Sequence, residues 1–300
     1  MVDVVMSTIT STLQLIQSVP LAPIALAIGL YALSIVVTGL RWQLVLRAMG
    51  VPSRLLHTSL GHLGSIFVNN VTPASRVGGE AYRTAYIHAK TGVTVKQAAA
   101  SIAFDRGVDL LAFGLVFLLA LPTVWPLLDH ADNVMVALGI GAVVVLTVVL
   151  VYRLMPRVRT AVSKVKDYFV STEIDRRSLA LALIPAVIGW AMDVLRVMIV
   201  ASAVGVHLDI RQAAALSVLA TLGGLVPTVG GIGAVEGGLT AGLVLFGVPL
   251  ETALAVTLLE RSISLVLSTL AGALAALGHG GGRLWQFVRS PSSVTGSIPG

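Results

Sequence analysis

This 300-residue chain contains no cysteine, so neither a disulfide, a thiolate metal site nor a cysteine nucleophile is open to it. Charge is scarce as well: Asp, Glu, Lys and Arg together make up 11% of residues, against 56% apolar. The six histidines (His57, His62, His88, His130, His207 and His279) show no metal-ligand spacing, and no phosphate-binding loop, dinucleotide fingerprint or HExxH pattern occurs. No catalytic constellation emerges, and neither an enzymatic role, a cofactor nor a metal is expected. Residues 1–20 hold no Lys or Arg, so no basic stretch precedes the first apolar run and no cleavable signal peptide is expected. That stretch is predicted instead as a short amphipathic helix at the membrane interface.

What remains is mostly apolar. A mean hydropathy of +0.93 and apolar runs near 20 residues long predict an all-α, polytopic membrane protein. Spans are predicted over residues 21–40 (extending toward 50), 95–121, 134–154, 179–206 and 252–277. The net charge of +6 fits basic loops held on the cytoplasmic face against anionic lipid, rather than a nucleic-acid partner. Arg41, Arg47 and Arg54 put the end of the first span in the cytoplasm, with Arg41 and Trp42 as an interfacial anchor pair. A basic loop over 155–177 gives the strongest cytoplasmic signal. The expected location is the cell membrane, with the N-terminus outside and a partly disordered tail, 278–300, inside.

The few polar residues gather in two stretches, NNVTPASRVGGEAYR (69–83) and VPTVGGIGAVEGG (226–238), followed by Asp105-Arg106 and Glu260-Arg261. Arg41 and Arg196, Gly50 and Gly205, Gly92 and Gly247, and Arg106 and Arg261 all stand 155 residues apart. Pro73 and Pro227 are 154 apart, and Glu80 and Glu236 are 156 apart. This ordered set reads as an internal duplication over 23–121 and 178–277 within one membrane domain, 1–277. The intervening span, 134–154, would invert the second half about a two-fold axis in the membrane plane. Residues 57–71 and 212–240 are too polar for comfortable crossings, and each is predicted as one arm or the whole of a re-entrant hairpin.

Arg76, Glu80 and Arg83 are spaced by four and three residues along a helix. With Asn69, Asn70, Gly78 and Gly79 they form a candidate headgroup site, because a guanidinium offers a phosphate a planar fork of donors. The plainer reading is an interfacial salt-bridge ladder. Asp105, Arg106, Asp109, Asp193, Arg196, Glu260 and Arg261 lie inside predicted spans, where each charge needs a partner or a cavity. They read equally well as clamps between helix and hairpin. In the second hairpin, Pro227, Gly230, Gly231 and Gly233 are packing points or ligand contacts. Glu80 and Glu236, one per half, are candidate proton or cation carriers.

The ordered elements NNVTPASRVGGEAYR, FDRGVDLL, PTVGGIGAVEGG and LLERSISLVLSTLAG resemble the flippase-like membrane domain of the lysylphosphatidylglycerol synthase/flippase family, over about residues 40–277. Two departures stand out. The soluble aminoacyltransferase domain of the bifunctional members is not found, so lipid aminoacylation is not implied, and the family's usual first span is not recognised. The resemblance implies a flippase or scramblase for a lipid bearing a phosphate, of phospholipid or polyprenyl-phosphate type. The alternative is a non-transporting module that holds such a lipid for a glycosyltransferase or lipid-modifying enzyme.

Overall fold

A computed structural model describes residues 2–72, 77–124, 174–226 and 228–278. Arg76, Pro227, the predicted span 134–154, the basic loop as far as residue 173 and the tail from 279 lie outside the described residues. Within them the secondary structure is helical throughout. The first half comprises α1 (Val2–Ser18), α2 (Leu21–Ala48), α3 (Leu55–Val71), α4 (Val77–Thr91) and α5 (Val95–Val124). The second comprises α6 (Arg176–Leu181), α7 (Leu183–Ala203), α8 (Ile210–Gly223), α9 (Ala234–Leu245), α10 (Leu250–Arg261) and α11 (Ser268–Gly278). A 3-10 turn (Val229–Gly231) precedes α9, and a π-helical segment (Ser262–Leu267) joins α10 to α11. Among the described residues, three stretches are long and apolar enough to cross a membrane: Leu21–Ala48, Arg176–Ala203 and Leu250–Gly278.

The helix ends follow from local chemistry. Asp209 opens α8 by accepting from the backbone of Arg211 and Gln212, both at 2.8 Å, while Gln212 returns a bond to the Asp209 N–H. The paired glycines at the 155-residue offset close helices. Gly50 (φ 71°) and Gly205 (φ 81°) adopt the left-handed conformation, which lets Val51 reach the Leu46 carbonyl and Val206 the Ala201 carbonyl. At these positions the 155-residue spacing repeats a helix stop.

The two halves interlock. α2 and α7 pack antiparallel: the Asp175 N–H donates to Ala48 O at 3.0 Å, Gly189 lies beside Thr38, and the Arg196 guanidinium covers the Tyr31 ring. α3 packs on α11, and its counterpart α8 packs on α5. One apolar core surrounds Trp42, Leu46, Ile87 and Ile102, and another surrounds Val200, Leu216, Leu243 and Val256. Leu110, Leu111, Leu115 and Leu118 on α5 remain exposed, as a lipid-facing surface requires.

The anchor reading of Arg41 and Trp42 is overturned. Both are buried, because α2 continues to Ala48 and carries them inside the bundle. Trp42 Nε1 donates to Ser101 Oγ at 3.2 Å, and the Arg83 guanidinium lies 4.1 Å over its ring.

Close approach fixes the α3–α11 contact. A Cβ at Gly272 would come 2.5 Å from Leu63 O and 2.9 Å from Phe67 Cβ, whereas one at Gly107 on α5 would meet nothing within 4 Å. Gly272→Ala should therefore destabilise the protein by about 1–3 kcal/mol, as overpacking does. Gly107→Ala should be neutral or stabilise by about 0.5–1 kcal/mol, the helix propensity gain. Thermal unfolding in detergent distinguishes the two.

Candidate functional site: a polar cavity framed by ion pairs

The intramembrane charges are brought together as two corresponding networks. In the first half, Arg41 on α2 donates through Nε to Asp105 Oδ1 at 2.8 Å and also binds Asp109. Arg83 on α4 donates to the other oxygen of Asp105 at 2.8 Å. Arg106 on α5 is held by Glu80 at 2.7 Å and lies 3.3 Å from Asp109. In the second half, Arg196 on α7 donates to Glu260 at 2.7 Å and to Asp193 at 2.7 Å. Arg261 is held by Glu236 at 2.7 Å and donates to the Gly230 carbonyl at 2.7 Å.

Two ion pairs of each network correspond across the halves. Arg41–Asp105 and Arg196–Glu260 both bridge 64 positions, while Glu80–Arg106 and Glu236–Arg261 bridge 26 and 25. Each long-range pair ties the opening helix of a half to its closing helix. Each glutamate–arginine pair ties the hairpin to that same closing helix. Arg83 has no second-half equivalent: offsets of 155 and 156 fall on Gly238 and Leu239.

Between the halves lies a cavity of about 340 Å³. Arg106, Arg261 and Arg196 line it together with Asn69, Asn70 and Asp193. A neighbouring cavity of about 190 Å³ shares His62, Arg106, Trp190 and Asp193. The glycine turn before α9 meets the end of α3 here. Gly230 (φ 60°) and Gly231 (φ 73°) allow the chain to turn so tightly that a Cβ on Gly230 would stand 3.3 Å from Asn70 O. Two buried polar atoms on the lining, His62 Nδ1 and Thr228 Oγ1, find no hydrogen-bond partner among the described residues.

The predicted site residues divide into four groups. Asn69 and Asn70 line the cavity. Asn69 also accepts from the Gly79 N–H at 2.8 Å, and Asn70 donates to Thr269 at 2.8 Å, so both brace the first hairpin. Gly230, Gly231, Arg106, Asp193, Arg196, Glu260 and Arg261 line it too. Gly78 packs beside Thr72, and Glu80, Glu236 and Asp109 hold arginines from behind, Gly233 completing the Glu236 cap at 2.7 Å. Arg83 is wholly buried between Asp105 and Trp42 and does not line the cavity; Asp105 is wholly buried as well. Arg76 and Pro227 lie outside the described residues.

Sequence reasoning missed Arg41, Tyr31, Trp190, His62 and Thr228. Arg41 carried a usable signal, its 155-residue spacing from the intramembrane Arg196. Trp190 donates to Asp109 across the two halves at 3.2 Å, a contact no local pattern encodes. Among the described residues no group of three His, Asp or Glu stands close enough to hold a metal.

This fold and cavity define a polytopic helical membrane protein that encloses a charged polar chamber between two halves. The chain belongs to the family described as the lysylphosphatidylglycerol synthase TM region, whose model matches residues 4–272. It is similar to a UPF0104 membrane protein of Pyrococcus horikoshii, at 23% identity over 90% of each chain. It also resembles a UPF0104 membrane protein of Methanothermobacter thermautotrophicus, at 25% identity over 75% of this chain and 76% of the relative. A third, from Methanocaldococcus jannaschii, is 21% identical over 85% of this chain and 84% of its own.

The long-range pairs should be structural. Arg196→Ala strands Glu260 in a buried setting and should lower stability by about 3–5 kcal/mol. Arg196→Met combined with Glu260→Leu removes both charges and should recover most of that loss. Denaturation in detergent micelles measures both; equal losses would show that the pair is not what Arg196 contributes.

Proposed function

We propose that the protein moves a phosphate-bearing lipid between membrane leaflets, taking the headgroup through the cavity between its halves. The observation that carries this is the placement of Arg106 and Arg261 on that lining, each held by a glutamate from its own hairpin. A phosphate arriving at either guanidinium competes with the glutamate for the same donors, so it binds reversibly rather than being trapped. Asn69 and Asn70 add side-chain amides, and the orphaned His62 and Thr228 atoms add further polar groups to the lining. Family membership supports the reading, since this TM region is associated with lipid flipping.

The headgroup site is accordingly centred on Asn69, Asn70, Arg106 and Arg261, with Arg83 holding the hairpin from behind. The architecture that serves it is a pair of inverted repeats, each a long helix, a re-entrant hairpin and a charged closing helix. Antiparallel packing of α2 and α7, helices that correspond at the 155-residue offset, supports this inversion. α3–α4 then enters from the cytoplasm and α8–α9 from outside.

Two measurements test these statements. In liposomes carrying labelled phosphatidylglycerol, Arg261→Lys keeps the charge but loses the planar fork, and should slow leaflet exchange about tenfold while the protein remains folded. Lipid bound but not moved by the wild-type protein would identify the non-transporting module that serves a glycosyltransferase or lipid-modifying enzyme. For orientation, single cysteines placed in this cysteine-free chain should label at Lys90→Cys from the cytoplasm and at Arg211→Cys from outside. The reverse pattern overturns the assigned topology.

A further inference from the structure

The two charge networks are not equally balanced. In the first half three arginines, Arg41, Arg83 and Arg106, meet three carboxylates, Glu80, Asp105 and Asp109. Among the described residues of the second half, only Arg196 and Arg261 meet Asp193, Glu236 and Glu260. One negative charge is left over, in the half that lacks a counterpart of Arg83. At membrane depth an uncompensated carboxylate is costly, and such a charge ordinarily marks an ion or substrate path.

The surplus can be traced to one atom. Both oxygens of Asp105, Asp109, Glu80, Glu236 and Glu260 accept from arginine, tryptophan or backbone N–H donors. Asp193 engages Arg196 through Oδ1 alone, and its Oδ2 has no partner among the described residues. Its side chain is also the most exposed of the six, at 39%, and it lines both cavities. The surrounding hydroxyls are oriented to match. Ser34 donates to the Tyr31 carbonyl at 2.8 Å and Thr221 to the Ser217 carbonyl at 2.9 Å, so each can offer the cavity oxygen lone pairs. Asp193, Ser34 and Thr221 contribute acceptors to both cavities and share that lining with the donor Arg106, while Arg261 lines only the larger cavity.

We propose that Asp193 is the counter-ion of a compact monovalent cation bound beside the phosphate, so that the chamber accepts a phosphate–cation pair rather than a bare anion. The cation is either an ammonium on the headgroup itself or a free alkali ion that enters with an anionic lipid. Both present the same chemistry to Asp193 Oδ2 and the two hydroxyls. This inference rests on the headgroup reading above.

The test measures lipid binding to the full-length protein in nanodiscs, for wild type, Asp193→Asn and Asp193→Glu. Asparagine keeps an acceptor for Arg196, which also retains Glu260, so the variant should unfold at nearly the wild-type temperature. If the headgroup supplies the cation, phosphatidylethanolamine should bind wild type about tenfold more tightly than its N-acetylated derivative, which has no ammonium. If the cation is free, phosphatidylglycerol should bind about tenfold more tightly in sodium than in N-methylglucamine at equal ionic strength. Either preference should fall to within about twofold in Asp193→Asn and return in Asp193→Glu. Neither preference in wild type, or a preference that survives in Asp193→Asn, overturns the cation subsite. Failure to bind any of these phospholipids overturns the headgroup reading itself, a result distinct from binding without cation preference.

Discussion

An arginine inside a bilayer must meet a carboxylate or water, and this requirement organises the molecule. Removing a charge from water costs several kcal/mol even after relaxation, and the attraction between partners offsets that only when geometry is good and the remaining donors are satisfied. Arg41 and Arg196 meet the condition across 64 residues of chain, each reaching from the helix that opens its half to the helix that closes it. Their partners fix the rotation of α5 and α10 about their axes. With that rotation set, Arg106 and Arg261, one residue further along, turn toward the hairpin glutamates and the cavity. The cavity exists because adjacent residues on one helix point about 100° apart, a consequence of 3.6 residues per turn.

The halves use the same plan with different reinforcement. Arg83, stacked on Trp42 and bonded to Asp105, locks the first hairpin to α2 and α5 at once. The second hairpin has glycine and leucine at the matching offsets and relies on Glu236, the Gly230 carbonyl and a tight glycine turn. Downstream, the π-helical segment Ser262–Leu267 follows directly on Arg261 and leads to Ser268 and Thr269, whose hydroxyls receive Asn70 from the first hairpin. Such insertions recur at functional sites because they re-aim side chains without ending the helix. The second half is therefore the less constrained side of the chamber.

Much of this was legible in the sequence, and what was not has a physical reason. The spacing of 155 residues matched Gly50 with Gly205 and Arg106 with Arg261 by identity alone, and the structure adds that the two glycines close helices. Asp193 and Arg196 stand three residues apart on one helix, a spacing that favours their pairing. Arg41 was misread because an arginine beside a tryptophan near the end of an apolar run carries the usual signature of the interface. Only the partner on α5, 64 residues away, reveals it as buried. Polar density along the chain pointed to Arg83, but whether a charged side chain faces a cavity or a countercharge is decided by tertiary contacts that composition does not encode.

The arrangement also constrains how a headgroup could pass. Glu80 and Glu236 belong to the hairpins, whereas Arg106 and Arg261 belong to the closing helices, so a phosphate that displaces a glutamate also releases a hairpin from its helix. In the first half Arg83 and Asp105 retain the hairpin after such a displacement, because their bond and the Trp42 stack do not involve the Arg106 pair. In the second half nothing among the described residues duplicates that restraint: Arg261 alone connects Glu236 and the Gly230 carbonyl to the closing helix by charged bonds. Phosphate binding at Arg106 would therefore leave the first hairpin in place, and binding at Arg261 would loosen the second. Under the inverted arrangement proposed above, these events would belong to opposite leaflets. A lipid crossing such a chamber would meet one fixed and one yielding wall, and the yielding wall carries the unbalanced charge.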